Sequence, residues 1–192
     1  MRLAFFASGS GSSMRAIVAA CRTGEIAATP ALLIANRPCK ALEFAAANGL
    51  EHLIIPTVGA DGEAADERAL TALNAAGAEW VILSGYLRKL GPKVLEAFSG
   101  RILNIHPALL PDFGGEGMYG RKVHEAVVAA EVIESGATVH VVDGEYDHGE
   151  IVAQERVPVY PGDTAEAVET RVMAIEPALF VRTLKALAAA KG

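Results

Sequence analysis

The feature that most constrains this chain is a series of short, wholly apolar runs, each ending in a small or polar residue. "RLAFFA" (2–7), "ALLIAN" (31–36), "HLIIP" (52–56), "WVILSG" (80–85) and "RILNIH" (101–106) are five of them. They are too short for core helices and show no apolar/polar alternation, which is the pattern of strands buried on both faces. Helical spacing fills the intervals. One helix is expected from about Ser13 to Arg22 with Gly24 as its stop, one from Pro38 to Asn48 and Gly49, one from Asp61 to Gly77, and a short one in "GPKVLEAF". Strand and helix in alternation with short connections specify an α/β fold, a Rossmann-like three-layer sandwich around a mostly parallel, twisted sheet.

After Gly120 the order changes. A helix from about Arg121 to Ala130 precedes "ATVHVVD" (137–143) and "EIVAQERVPV" (150–159), two strand-like runs joined by six residues. So short a connection makes them antiparallel, which gives the sheet an antiparallel C-terminal portion. The last helix is expected to start at Asp163, with Glu166 three residues on as a capping-box partner. Pro177 should kink or break it, because proline lacks an amide donor and crowds the carbonyl four residues back.

Composition narrows the function classes. The 192 residues suit one domain with a buried core, read here as a single unit, 1–192, with a phosphate-binding half (1–100) and a catalytic half (101–192). Hydrophobic residues make up 52% of the chain, yet no run approaches the roughly 18 apolar residues of a membrane span. The start, "MRLAFFASGSGSS", is interrupted by Ser and Gly after Ala7, unlike a secretory leader, so a cytoplasmic location is expected. A net charge of −6 argues against a nucleic-acid footprint. Cys21 and Cys39 are expected to be reduced thiols away from any ligand site.

In an open parallel sheet, ligands bind beyond the carboxyl ends of the strands. Three loops fall there. "SGSGSSM" (8–14) follows the first strand; Gly9 and Gly11 open a dinucleotide fingerprint, but Met14 stands at its third glycine and the second strand ends in Asn36 rather than an acid. The loop is either a phosphate site at a helix N-terminus or a tight turn that binds nothing. "NIHPALLP" ends the fifth strand. Side chains two apart on a strand share a face, with Cα atoms about 6.5 Å apart, so Asn104 and His106 can reach one substrate atom while Ile105 points into the core. An amide donor beside an imidazole suits a carbonyl that becomes an oxyanion, although both residues could equally bond the following turn. "DGEYDHGE" (143–150) is turn-like, but Asp147 exceeds what a turn needs and could orient and charge His106. His124, His140 and His148 match no compact ligand spacing, so no metal is expected.

At these residues the chain resembles the glycinamide ribonucleotide formyltransferases, folate-dependent enzymes of purine biosynthesis. The likeness lies in "SGSGSS", "GYLRKLGPKVL", "GRILNIHPALLP", "SGATVHVVDGEYDHGEIVAQ", "VPVYPGDTAEAV" and "RVMAIEP". The resemblance implies transfer of a formyl group from 10-formyltetrahydrofolate to the amine of glycinamide ribonucleotide, with Asn104, His106 and Asp147 catalytic. It implies that Gly11, Ser12 and Ser13 hold the nucleotide phosphate and Glu176 its ribose. It places the folate along Leu87, Arg88, Lys89 and Leu90, with Asn104 and the turn of Asp143, Gly144, Glu145, Tyr146 and Asp147 around its pterin. The partners implied are these two small molecules, with no nucleic acid, membrane or metal, in a monomer or homodimer. Ser13 stands where the family usually has Asn, Gly62 where a basic residue is often found, and "DFGGEGMYGRKVH" replaces a shorter segment; its glycines suit either a mobile lid over 112–122 or a set of tight turns. Competing readings are a formyltransferase for an amino sugar nucleotide, a nucleotide-dependent reductase, and a non-catalytic binder of folate or nucleotide.

Overall fold

The structure, a computed structural model, describes residues 1–57 and 62–190. In chain order its elements are β1 (Arg2–Ala7), α1 (Ser12–Arg22), β2 (Thr29–Ala35), α2 (Lys40–Ala47), β3 (His52–Ile54), α3 (Gly62–Ala75) and β4 (Trp80–Leu83). There follow α4 (Pro92–Ala97), β5 (Ile102–His106), α5 (Arg121–Ala129), β6 (Glu134–Val141), β7 (Ile151–Pro158) and α6 (Ala165–Ala189). The strands form one seven-stranded sheet in the order β3-β2-β1-β4-β5-β6-β7. The first five run parallel, while β6 is antiparallel to β5 and β7 to β6. The chain is therefore an α/β sandwich whose strand order reverses between β1 and β4, the crevice where such sheets bind ligands.

Two apolar layers hold the sheet. Leu3, Phe5, Leu103 and Ile105 pack on one face with Ile17, Phe180 and Leu184 of α1 and α6. Ala4, Phe6, Val81 and Ile102 pack on the other with Leu73 and Val94 of α3 and α4. Residues 3 to 7 of β1 are thus buried on both sides, and each fully buried Phe contributes about 1.5–3 kcal/mol. The alternation puts Ile105 in the core and turns Asn104 and His106 to the opposite face.

Several boundaries differ from expectation for local reasons. Pro38 does not open α2: Cys39 is still extended (φ −161°, ψ 165°), and the helix starts at Lys40. Cys39 therefore lies in the loop beyond β2, on the ligand-binding edge rather than away from it. The expected start of α3 at Asp61 lies outside the described residues. The cap of α6 is Thr164, whose hydroxyl accepts from the Ala167 amide at 3.2 Å. Asp163 is diverted to the Tyr160 amide (2.8 Å) and the Arg171 guanidinium (2.8 and 3.2 Å), so the capping box with Glu166 does not form. α6 runs unbroken through Pro177, because Val172 before it and Leu179 and Phe180 after it are all anchored in the core. Asp66 of α3 is buried because it caps α4, accepting from the Lys93 and Val94 amides at 2.7 and 3.2 Å. Among the described residues no helix is long and apolar enough to cross a membrane, and both cysteines are free.

Candidate active site

The glycine loop lies at the carboxyl end of β1. Gly11 adopts φ +64°, and a Cβ there would come within 2.9 Å of the Ala41 Cβ, so this position admits only glycine. Ser8 fixes the loop's base: its amide donates to the Gly85 carbonyl at 3.1 Å and its hydroxyl accepts from the Leu87 amide at 3.0 Å. At the start of α1 the Met14 amide is taken by the Ser84 hydroxyl at 3.1 Å. The Ser12 and Ser13 amides find no acceptor among the described residues. Two unpaired donors at the positive end of a helix dipole are what an anion requires.

On the other side of the crevice, β5 and the β6–β7 turn bring three of the expected residues together. Asp147 Oδ2 lies 3.3 Å from His106 Nδ1, and the Gly115 amide donates to the same oxygen at 3.1 Å. His106 Nε2 donates to the Phe113 carbonyl at 2.8 Å. Asp147 holds this position with φ +56°, unusual for a residue with a Cβ. Burial acts to raise the Asp147 pKa, but the His106 and His140 hydrogen bonds, the His106 charge and the Gly115 amide outweigh it and hold the carboxyl far below the usual range. Asp147 is therefore an anion at neutral pH, bound among donors.

The fourth member of this cluster, His140, was not singled out as a site residue by sequence reasoning. It is buried on β6 directly across from Asn104 in the strand register. Its Nε2 lies 3.1 Å from Asn104 Nδ2 and 3.4 Å from Asp147 Oδ1. Nδ1 faces the Val141 carbonyl at 3.0 Å and so carries a proton. A neutral His140 accepts from the Asn104 amide, and a charged one donates to Asp147. The clue in the sequence was alternation: in "ATVHVVD" His140 is polar where a buried strand should be apolar.

Glu176 projects from α6, half-buried; burial raises its pKa to about 7, opposed by the charge of His106. His124 of α5 is 2% exposed, its Nδ1 has no hydrogen-bond partner, and burial pushes its pKa down against the pull of Glu169.

Beside Asn104 and Asp147 opens a cleft of about 80 Å³. Arg88, Lys89 and Leu90 line it, together with Asp143, Glu145 and Tyr146. Lys89 Nζ sits 5.3 Å from the centre of the Tyr146 ring. Leu87 and Gly144 are not part of the wall; Leu87 is 57% exposed. The floor adds Leu83, Leu95, Val142 and Tyr86, the last held edge-on against Phe6 at 5.2 Å. These apolar residues are indistinguishable from core in the sequence. The arrangement joins a helix N-terminus with two unpaired amides, an amide and an imidazole beside an ionised carboxylate, and an amphipathic cleft along one sheet edge.

Comparison with known proteins places the whole chain. The family model described as "Formyl transferase" matches residues 1–184, and the chain belongs to that family. A phosphoribosylglycinamide formyltransferase of Bacillus subtilis is 35% identical over 188 residues, covering 97% of this chain and 94% of the relative. A chloroplastic phosphoribosylglycinamide formyltransferase of Arabidopsis thaliana is 41% identical over 190 residues. The chain spans 65% of that relative's length and 60% of a similar one from Vigna unguiculata. Among solved structures, glycinamide ribonucleotide transformylase 1 from Symbiobacterium toebii superposes with a TM-score of 0.91 at 34% identity, covering 99% of this chain and 88% of that one. A formyltetrahydrofolate deformylase from Pseudomonas syringae, at 23% identity and TM-score 0.88, shares the fold alone.

Proposed function

We propose that this protein transfers the formyl group of 10-formyltetrahydrofolate to the amine of glycinamide ribonucleotide, a step of purine biosynthesis leading to IMP. The observation that carries this reading is the meeting of Asn104, His106 and Asp147 between an amphipathic cleft and a helix N-terminus with two unpaired amides. The relatives named above, similar over nearly the whole of this chain, support it. Gly11, Ser12 and Ser13 receive the phosphate and Glu176 the ribose hydroxyls. The folate lies in the cleft lined by Arg88, Lys89, Leu90 and the 143–147 turn, with Leu87 and Gly144 at its rim. In this division residues 1–100 bind phosphate, while 101–192 carry the catalytic groups.

In the reaction the acceptor amine attacks the formyl carbon and gives up one proton, the bond from that carbon to the folate nitrogen breaks, and that nitrogen takes up one proton, so the exchange is balanced. The Asn104 amide and a His106 N–H stabilise the oxyanion formed at the former carbonyl oxygen. Asp147 orients His106, and His140 fixes both Asn104 and Asp147. No nucleophilic side chain is required. Because His106 Nε2 is bonded to the Phe113 carbonyl and Nδ1 faces Asp147, Phe113 must yield before Nε2 can serve a substrate oxygen. A lid over 112–122 acts here as a release of that contact.

The test is product formation from both substrates. Stoichiometric formyl transfer in a single turnover supports the reading; retention of both ligands without product makes the protein a binder. Transfer to an amino sugar nucleotide instead reassigns the acceptor.

A further inference from the structure

We propose that Arg37 is the cation that matches the acceptor's phosphate and selects phosphorylated over unphosphorylated acceptors; this rests on the phosphate reading of the Gly11–Ser13 loop. Residues 8–14 contain no Lys or Arg. The Ser12 and Ser13 amides can satisfy a phosphate's hydrogen-bonding oxygens, but neutral donors leave its charge unmatched. The chain as a whole carries −6. A dianion bound there without a cation would be opposed by its surroundings.

Arg37 supplies one. It lies just beyond β2, which neighbours β1 in the sheet, and its Nε donates to the Ser8 carbonyl at 2.9 Å. Ser8 is the residue pinned to Gly85 and Leu87, so the guanidinium is tethered to the rigid base of the loop. The start of α2 is tied to the same loop where the Ala41 amide donates to the Gly9 carbonyl at 3.1 Å. With Nε engaged, the two terminal nitrogens keep four N–H donors, and no carboxylate among the described residues pairs with them. The neighbouring cations differ. Arg15 donates to the Lys40 carbonyl at 3.1 Å and covers the Phe44 ring. Lys40 is exposed, with no tie from its side chain to the loop. Arg37 alone combines free charge with a fixed position, which lowers the entropy lost on binding.

The experiment compares kcat/KM for glycinamide ribonucleotide and for its dephosphorylated riboside in the wild type, Arg37→Gln, Arg37→Lys and Lys40→Gln. The wild type is expected to prefer the phosphorylated acceptor. Arg37→Gln is expected to reduce that preference about tenfold to a hundredfold, through KM rather than kcat. Arg37→Lys restores part of it, charge without the fork, and also serves if the Gln variant does not fold. An Arg37→Gln enzyme that loses rate equally with both acceptors shows that the side chain only props Ser8, and overturns the proposal. So does an unchanged preference, or a loss of preference in Lys40→Gln alone. A wild type that transfers formyl but ignores the phosphate overturns the loop reading itself, a distinct failure.

Discussion

Each side chain of the candidate site has a measurable energetic role. If Asn104 and His106 stabilise the oxyanion, removing either should cost about 10² to 10³ in kcat, since one such donor is worth roughly that much. Steady-state transfer by Asn104→Ala and His106→Ala reads this directly. His140 acts through others, so its test is a pH profile. Its Nε2, which donates to Asp147 when charged, helps hold that carboxyl low, so His140→Leu, which cannot donate, should move the acid limb of kcat/KM to higher pH as well as lowering kcat; an unmoved limb would assign His140 to packing alone. Glu176 is the converse case. Its folded pKa of about 7 lies above the unfolded value, so the fold binds its proton more tightly and loses stability as pH rises from about 4.5 to 7. Glu176→Gln should therefore be more stable than the wild type at pH 8, by about 1–3 kcal/mol, and equal to it at pH 4 in denaturant titrations. Equal stability at both would refute burial as the cause.

Elements place these residues, and here sequence and structure can be compared part by part. Four of the five apolar runs were legible as parallel strands because burial on both faces leaves no polar alternation, while β3, at the sheet edge, is largely exposed and was read from its short apolar run alone. Asn104 and His106 stood out for the same reason, as polar residues closing a run that should stay apolar. What was not legible came from tertiary competition. Asp163 had the right spacing for a capping box, but Arg171, about two helical turns further in, attracts its carboxylate, and Thr164 caps instead. Thr164→Ala should accordingly cost about 0.5–2 kcal/mol in chemical denaturation. The floor of the cleft was hidden because Leu83, Leu95 and Val142 look the same in a sequence whether they line a pocket or fill a core. The β6–β7 turn depends on Gly149, where a Cβ would lie 1.9 Å from the Val141 carbonyl. Gly149→Ala must displace backbone, and with it Asp147, so both stability and turnover should fall; a fully active, equally stable variant would show that the turn tolerates the shift.

At the scale of the whole molecule, one sheet edge gathers three loops that are far apart in sequence. The strand-order reversal between β1 and β4 opens the crevice, and the antiparallel β6 and β7 carry His140 and Asp147 back to β5. The loop from Phe113 to Gly115 then closes over His106 and Asp147 with two hydrogen bonds, at 2.8 and 3.1 Å. The central claim is that this constellation performs transfer rather than binding. Its most direct test is a single turnover with both substrates, comparing the wild type with His106→Ala. The wild type should convert one equivalent of glycinamide ribonucleotide to its formyl derivative with matching release of tetrahydrofolate. The variant should bind both ligands and react at least about a hundredfold more slowly. Transfer at the wild-type rate by a folded His106→Ala protein would contradict the account.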